Sequence, residues 1–196
     1  MANLSNDWNI VREKCALLVI DMQNDFVREG AIMEVPEARA QVGRIAGLID
    51  ACREKDVPVI YTVHETDPVF NPLEIATFPH LAEAGMRKGT DGIEVFEELA
   101  PADGEYVLRK RRYSAFFQTD LELVLRNSGV DTVIICGTVS NICCESTARD
   151  AYFRDFKVVF GTDVNSALSK EVHDAVLANM RLFGRVMKSV DIISAL

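Results

Sequence analysis

Three side chains that can act together in catalysis each follow an apolar stretch of the chain: Asp21, Lys110 and Cys143. A carboxylate can take the proton of a thiol, and a nearby ammonium favours the thiolate over the thiol. The thiolate attacks an amide or ureido carbonyl to give a tetrahedral oxyanion and then a thioester, which an activated water hydrolyses. Residues of these types at one cleft therefore predict a nucleophilic hydrolase that carries its own base.

The stretch that contains the cysteine, residues 132–151 (TVIICGTVSNICCESTARDA), predicts a buried strand followed by a helix. Its first residues are apolar and β-branched, which is typical of a strand buried on both faces. We expect Ser140 or Asn141 to cap the helix by accepting a hydrogen bond from a free amide. Cys143 and Cys144 then lie in the first turn, where free amides and the helix dipole favour a thiolate and lower the pKa of a thiol.

The turn before this helix can aim two backbone amides, those of Val139 and Cys143, at one point. We therefore predict that these amides form an oxyanion hole. Each candidate residue also has a purely structural interpretation, because buried cysteines often only pack, an aspartate after a strand often forms a turn, and basic clusters are often solvated. The catalytic interpretation depends on the fold bringing the side chains together.

Strands and helices alternate along the chain, which predicts an α/β fold with a parallel sheet covered by helices on both faces. Ligands of such sheets bind beyond the carboxyl ends of the strands, near the point where the strand order reverses. Asp21, Lys110 and Cys143 all follow predicted strands, so this topology favours their convergence. The predicted strands are 15–20, 57–63, 106–109, 132–136, 157–160 and 185–192, and the predicted helices are 36–55, 94–99, 119–127, one from 141, and 171–183.

Residues 65–93 contain three prolines, three glycines and little periodicity. An irregular segment of this length inside a compact domain is more often a functional loop than a plain connection. We expect it to build the substrate pocket beside His64, which ends the second predicted strand.

The 196 residues have the length of one domain, which we place at 1–196 with a polar lead-in at 1–14. The formal charge of −9 argues against nucleic acid or an anionic membrane as partner. The sequence shows no signal-peptide pattern and no apolar run of transmembrane length, so we expect a cytoplasmic protein. Its five cysteines, an odd number without a CxxC spacing, predict free thiols rather than disulfides or a cysteine zinc site.

Three segments resemble the signatures of the isochorismatase-like cysteine hydrolases in sequence, order and spacing. They are DMQNDF at 21–26, KRRYSAF at 110–116 and GTVSNICCESTARDA at 137–151. The resemblance implies a six-stranded parallel sheet in a three-layer Rossmann-like sandwich and a catalytic triad of Asp21, Lys110 and Cys143. It selects Cys143 rather than Cys144, since the family's cysteine is followed by one residue and then by Glu-Ser-Thr.

The resemblance also implies a cis peptide between Thr138 and Val139 and assembly as a homodimer or homotetramer. A complete triad favours the amidohydrolase branch of the family, because isochorismatases hydrolyse a vinyl ether without needing the cysteine. Nicotinamidases carry an Asp-x-His metal pair after the second strand, where this chain has Thr62 and His64. We therefore expect no metal and no other cofactor. We expect the substrate to contact Phe26, His64, Tyr113 and Asn141.

The sequence thus predicts an amidohydrolase that cleaves a C–N bond of a small amide, ureido or carbamoyl compound through a thioester. An isochorismate-type vinyl ether hydrolase and a nicotinamidase stay open as alternatives. A redox module in which Cys143 and Cys144 merely oxidise is a further alternative. Release of ammonia separates the amidohydrolase from the vinyl ether hydrolase.

Overall fold

Six parallel strands form one sheet at the centre of the computed structural model, which describes residues 6 and 8–196. The strand order is β3-β2-β1-β4-β5-β6, and every neighbouring pair is parallel. The order reverses between β1 and β4, so the ligand-binding edge is expected at the carboxyl ends of these two strands. The strands are β1 (Cys15–Ile20), β2 (Val59–His64), β3 (Tyr106–Lys110), β4 (Thr132–Thr138), β5 (Lys157–Ser166) and β6 (Arg185–Met187).

Helices cover both faces of the sheet, which confirms the predicted three-layer α/β sandwich. Alternate residues of β1 point to opposite faces, so Leu17 and Val19 join a core cluster with α2 and α7, whereas Leu18 and Ile20 join one with α4, α5 and α6. The helices are α1 (Asn24–Val27), α2 (Pro36–Glu54), α3 (Pro72–Thr77), α4 (Leu121–Asn127), α5 (Glu145–Tyr152), α6 (Lys170–Met180) and α7 (Ser189–Ala195). None of the helices in the described part of the chain has the length and apolar character to cross a membrane.

The two central strands approach each other closely at the carboxyl edge of the sheet. Every residue of β1 and β4 is buried, as their apolar sequences predict. Gly137 has a φ of +125°, and a side chain at this position would place its Cβ 2.0 Å from the backbone oxygen of Ile20. Only glycine fits such an approach, and it keeps the end of β4 beside the residue that follows β1.

The turn after β4 differs from the prediction. Residues Ser140–Cys144 form a π-helical turn that leads into α5, and no side chain caps either element. The prediction that Ser140 or Asn141 caps the helix is therefore wrong. The hydroxyl of Ser140 instead lies 3.0 Å from Nδ1 of His173, because α6 packs against this turn.

Other predicted boundaries also differ. The helix predicted at 94–99 is a single 3₁₀ turn, Glu97–Leu99, and the strand predicted at 185–192 ends at Met187, before α7. β5 extends six residues beyond its predicted end at residue 160. Its register with β4 is irregular there, and the side-chain amide of Asn165 stabilises the extension by donating hydrogen bonds to Ile135 O and Gly161 O. Residues 1–5 and 7 of the predicted lead-in lie outside the described residues.

Candidate active site

Asp21 is the first residue after β1, at the point where the strand order reverses. Its φ of +49° lies in the left-handed region, which is uncommon for residues other than glycine and often marks a functional site. The side chain is fully buried, and its Oδ1 accepts a hydrogen bond of 2.6 Å from the hydroxyl of Thr62. Thr62 thus fixes one carboxylate oxygen of Asp21 and leaves the other to face the remaining site.

Lys110, the last residue of β3, reaches past β2 to that second oxygen. Its Nζ lies 2.6 Å from Oδ2 of Asp21, and both side chains are completely buried. The ammonium also donates to the backbone oxygen of Arg112 at 3.1 Å. Burial alone would lower the pKa of Lys110, but the charge of Asp21, the neighbouring Cys143 and hydrogen bonds to both outweigh it and leave the pKa raised. Lys110 is therefore a charged ammonium that the carboxyl group of Asp21 stabilises in the protein interior.

Cys143 lies in the π-helical turn, only 3% exposed, and its thiol interacts with both members of this pair. Burial raises the pKa of Cys143 well above its ordinary value; Lys110 lowers it, and Asp21 raises it. The prediction of a lowered pKa is therefore wrong for the resting site. Its physical reason is desolvation, which the position of a cysteine at a helix start does not reveal. Cys143 rests as a thiol beside a carboxylate that can accept its proton.

Cys144 has a different environment from its neighbour. It is completely buried among the apolar side chains that α4, α5 and α6 pack against the sheet. Burial also raises the pKa of Cys144, with further contributions of the same sign from Cys143 and Asp21. Hydrogen bonding to Asp21 and Lys110 contributes to the pKa of Cys143 but not to the pKa of Cys144.

The two predicted oxyanion donors belong to the same turn. The peptide bond between Thr138 and Val139 is cis, as the resemblance implies. The backbone oxygen of Val139 accepts hydrogen bonds from the amides of Ile142 (3.0 Å) and Cys144 (3.2 Å). These two hydrogen bonds stabilise the turn. The amides of Val139 and Cys143 belong to the same segment of the chain as the thiol of Cys143.

His64 is the predicted substrate-contacting residue that lies nearest to the ion pair. It is buried at the end of β2, with Nδ1 3.5 Å from Nζ of Lys110 and Nε2 2.8 Å from Oε1 of Glu74. Burial raises the pKa of Glu74, but hydrogen bonds and charges from His64, Asn71 and Lys110 outweigh it and leave the pKa lowered. Both nitrogens of His64 are thus engaged by the protein. Among residues 6 and 8–196, no three His, Cys, Asp or Glu side chains are grouped so as to hold a metal.

A cavity of about 300 Å³ opens beside these residues. Most of its wall comes from α3, within the irregular segment 65–93 that was predicted to build the pocket, and the rest comes from the KRRYSAF segment. Glu74 and Tyr113 connect the cavity to the buried groups, since Glu74 binds His64 and the Tyr113 ring centroid lies 6.0 Å from that of His64. The lining residues are Asn71, Pro72, Leu73, Glu74, Thr77, Arg112 and Tyr113.

The other two predicted substrate contacts, Phe26 and Asn141, are not brought to this cavity. Phe26 is buried in the core cluster on the face of α2, and Asn141 is exposed at the start of the π-helical turn. Neither side chain lines the cavity. The sequence placed them near the site only by their position next to Asp21 and Cys143 along the chain.

Four residues that support the site were not singled out from the sequence: Gln23, Thr62, Glu74 and His173. Gln23 donates to His64 O (3.0 Å) and accepts from His64 N (2.8 Å), so it binds the first motif to β2. His173 bridges Ser140 and the backbone oxygen of Thr162, which ties α6 to the cysteine turn. Of the four, Gln23 lies inside the DMQNDF segment, and Thr62 stands where nicotinamidases carry the aspartate of their metal pair.

The contacts of the thiol predict how its alkylation depends on pH. Because the pKa of Cys143 is raised, we expect iodoacetamide to modify it slowly at neutral pH and faster as the pH rises. Lys110 lowers this pKa and Asp21 raises it, so Lys110→Ala should shift the alkylation profile to higher pH and Asp21→Asn to lower pH. Rates measured by mass spectrometry of Cys143-containing peptides test this.

Circular dichroism of each variant serves as the control for folding. A Lys110→Ala profile that coincides with that of the unsubstituted protein would show that the ammonium does not act on the thiol.

Comparison with known proteins places the chain among the cysteine hydrolases. A family model described as the isochorismatase domain matches residues 15–191. The crystal structure of a cysteine hydrolase from Pseudomonas syringae pv. phaseolicola 1448A superposes with a TM-score of 0.95 at 31% identity, covering 100% of this chain and 98% of that one. N-carbamoylsarcosine amidase from Thermoplasma acidophilum superposes with a TM-score of 0.78 at 33% identity, covering 90% and 96%. Nicotinamidase 3 from Arabidopsis thaliana is 33% identical over 168 residues, which is 84% of this chain and 79% of that protein.

The matched region contains all three motif segments and all six strands of the sheet. The resemblance stated from the sequence is thereby confirmed at the level of the family and of the fold. The chain belongs to the isochorismatase family of hydrolases.

Proposed function

We propose that this protein is a cysteine-dependent amidohydrolase that cleaves a C–N bond of a small amide, ureido or carbamoyl compound. The observation that carries the proposal is the buried Asp21–Lys110 ion pair, together with the nearby turn that bears Cys143, whose pKa both members of the pair influence. A nucleophile, a base that can take its proton and a cation that holds the base are the parts that covalent acyl transfer requires. The similarity to N-carbamoylsarcosine amidase supports the same chemistry.

The proposed reaction begins with proton transfer from Cys143 to Asp21 as the sulfur attacks the substrate carbonyl. The raised pKa of the thiol makes this transfer part of the reaction rather than a state of the resting enzyme. The charge that moves onto the carbonyl oxygen is stabilised by the backbone amides of Val139 and Cys143. Lys110 keeps its proton throughout the reaction. Within the pair, only the carboxyl group of Asp21 gains and loses a proton.

Collapse of the tetrahedral intermediate breaks the C–N bond, and Asp21 returns its proton to the departing nitrogen, which leaves as ammonia or an amine. The acyl group remains on Cys143 as a thioester. Asp21, again a carboxylate, takes a proton from water, whose oxygen attacks the thioester carbonyl. The acid product leaves, and the proton returns to the cysteine sulfur, which restores the thiol.

The dimensions of the site favour a small substrate. The thiol is nearly completely covered, and the cavity of about 300 Å³ beside Glu74 and Tyr113 lies at the small end of ligand pockets. A folded protein or long peptide has no access to a sulfur buried in this way. The similarity to nicotinamidase 3 makes nicotinamide a second candidate, although Thr62 stands where the Asp-x-His pair has its aspartate and binds Asp21 instead.

An ammonia-release screen tests the proposal. Purified protein is incubated with primary amides, nicotinamide, ureido acids, N-carbamoyl amino acids and isochorismate, and both ammonia and acid products are measured. We expect ammonia from at least one amide or carbamoyl compound, with complete loss in Cys143→Ala. Hydrolysis of isochorismate alone, retained in Cys143→Ala, would refute the proposal in favour of vinyl ether hydrolysis.

A further inference from the structure

We propose that His173 is a positioning residue for the reaction, because its ring holds the hydroxyl of Ser140 and thereby fixes the turn that presents the Cys143 thiol. The role rests on the proposed function. His173 lies on α6, outside the three motif segments, and it does not line the cavity.

Both nitrogens of the His173 ring are engaged by neighbouring elements. Nε2 lies 2.9 Å from the backbone oxygen of Thr162 on β5, and Nδ1 lies 3.0 Å from Oγ of Ser140. A carbonyl oxygen can only accept, so Nε2 carries a proton and donates to Thr162. In the neutral ring Nδ1 is then the acceptor, and the hydroxyl of Ser140 donates to it. The contact with β5 thus sets the tautomer and the orientation with which the ring meets Ser140.

Ser140 is the first residue of the π-helical turn and is completely buried. It directly follows Val139, and the thiol of Cys143 is three residues further on. The hydrogen bonds that Val139 O accepts come from amides of the same turn. The bond between Ser140 and His173 is different, since it connects the turn to α6 and, through the other ring nitrogen, to β5.

The position of this turn matters for the chemistry. No side chain caps the turn, and π-helical turns are rare elements that recur at functional sites. In the proposed reaction the sulfur of Cys143 must reach the substrate carbonyl while its proton passes to Asp21. A misplacement of about 1 Å can lower the rate of such a step on the order of 10²-fold. A bond that fixes the start of the turn therefore acts on the reaction without touching the substrate.

Two substitutions of His173 separate its two hydrogen bonds. His173→Asn keeps an oxygen near the position of Nδ1, which can accept from Ser140, but it gives up the donor to Thr162. His173→Gln keeps a donor near the position of Nε2 but gives up the acceptor for Ser140. We expect His173→Gln to lower kcat about tenfold or more with KM changed less than about threefold, and His173→Asn to retain most of kcat.

Ser140→Ala removes the same bond from the other side. It should lower kcat to a similar extent, and the double variant Ser140→Ala/His173→Gln should lose little more than either single variant. Met180→Ala is the matched control, because it removes a buried side chain from the same helix about two turns beyond His173. This control should lower the melting temperature and leave kcat unchanged.

Alkylation of Cys143 provides a measurement that needs no substrate. The residue is only 3% exposed, so a loosened turn should make its modification by iodoacetamide several-fold faster in His173→Gln and in Ser140→Ala. The rate should stay unchanged in His173→Asn and in Met180→Ala.

An alkylation rate or a kcat that is unchanged in His173→Gln would overturn the inference, and so would additive losses of kcat in the double variant. Alkylation decides the role of His173 even if no compound is hydrolysed. The proposed function fails by a different result, namely the absence of ammonia from every amide and carbamoyl compound with the unsubstituted enzyme.

Discussion

Replacing Cys143 with alanine is expected to abolish hydrolysis, whereas replacing Cys144 with serine is expected to preserve most of it. Both cysteines belong to the apolar layer under α4, α5 and α6, but hydrogen bonding to Asp21 and Lys110 contributes only to the pKa of Cys143. In the proposed reaction the sulfur of Cys143 forms the covalent intermediate, so its loss removes the reaction path rather than one stabilising contact. Ammonia release under saturating substrate, with a limit of detection several orders of magnitude below the unsubstituted rate, measures the effect.

Cys144→Ser places a hydroxyl in an apolar environment and is expected to lower the melting temperature somewhat, so Cys144→Ala is the better-matched control. Both Cys144 variants should still form an acyl-enzyme, detected by mass spectrometry of the intact protein. An active Cys143→Ala beside an inactive Cys144→Ala would reverse the assignment of the nucleophile.

The buried ion pair predicts the second large effect. Asp21→Asn is expected to lower kcat about 10²- to 10⁴-fold, because an amide cannot accept the thiol proton. Lys110→Met should also lower kcat strongly, since the carboxyl group of Asp21 loses the ammonium that lies 2.6 Å from it. If the two residues act with Cys143 as one unit, the double variant Asp21→Asn/Lys110→Met should lose little more activity than either single variant.

Measurements of thermal stability provide a control, because the stability of the single and double variants should follow a different pattern from their activity. Each single variant leaves one buried charge unpaired, which costs about 3–5 kcal/mol in comparable cases, whereas the double variant removes both charges. The double variant should therefore melt at a higher temperature than at least one single variant. Strictly additive losses of activity, together with additive losses of stability, would show that Asp21 and Lys110 act independently.

The strands and helices that carry the candidate catalytic groups are predictable, because the local composition of each element indicates how deeply it is buried. β1 and β4 are buried on both faces, so their apolar residues form continuous runs with clear ends. The start of α2 is equally clear, since Pro36 occupies its first turn. β6 and α7 lack such signals. The three residues of β6 are only partly buried, and the short helix α7 follows without a proline or glycine between them.

The position of Asp21, Lys110 and Cys143 at one edge of the sheet was predictable for a related reason, because each lies at or beyond the carboxyl end of a strand and the strands are parallel. What the sequence does not show is how completely the site is enclosed. Burial sets the pKa of Cys143, and burial is the sum of contacts from β1, β3 and the helices around the turn. The contact of His64 with Glu74 depends in the same way on α3, a helix of six residues that starts at Pro72 and has no local sequence pattern linking it to Asp21, Lys110 or Cys143.

Peroxide and other oxidants attack thiolates rapidly, whereas they react slowly with protonated thiols. The 3% exposure of Cys143 and its raised pKa therefore shield the sulfur from oxidation to sulfenic or sulfinic acid while no substrate is bound. A cysteine that remained a thiolate would be a better nucleophile at all times, but oxidants would also inactivate it between turnovers. Enclosing the thiol beside Asp21 restricts its reactivity to the interval in which a carbonyl group is in place to receive it.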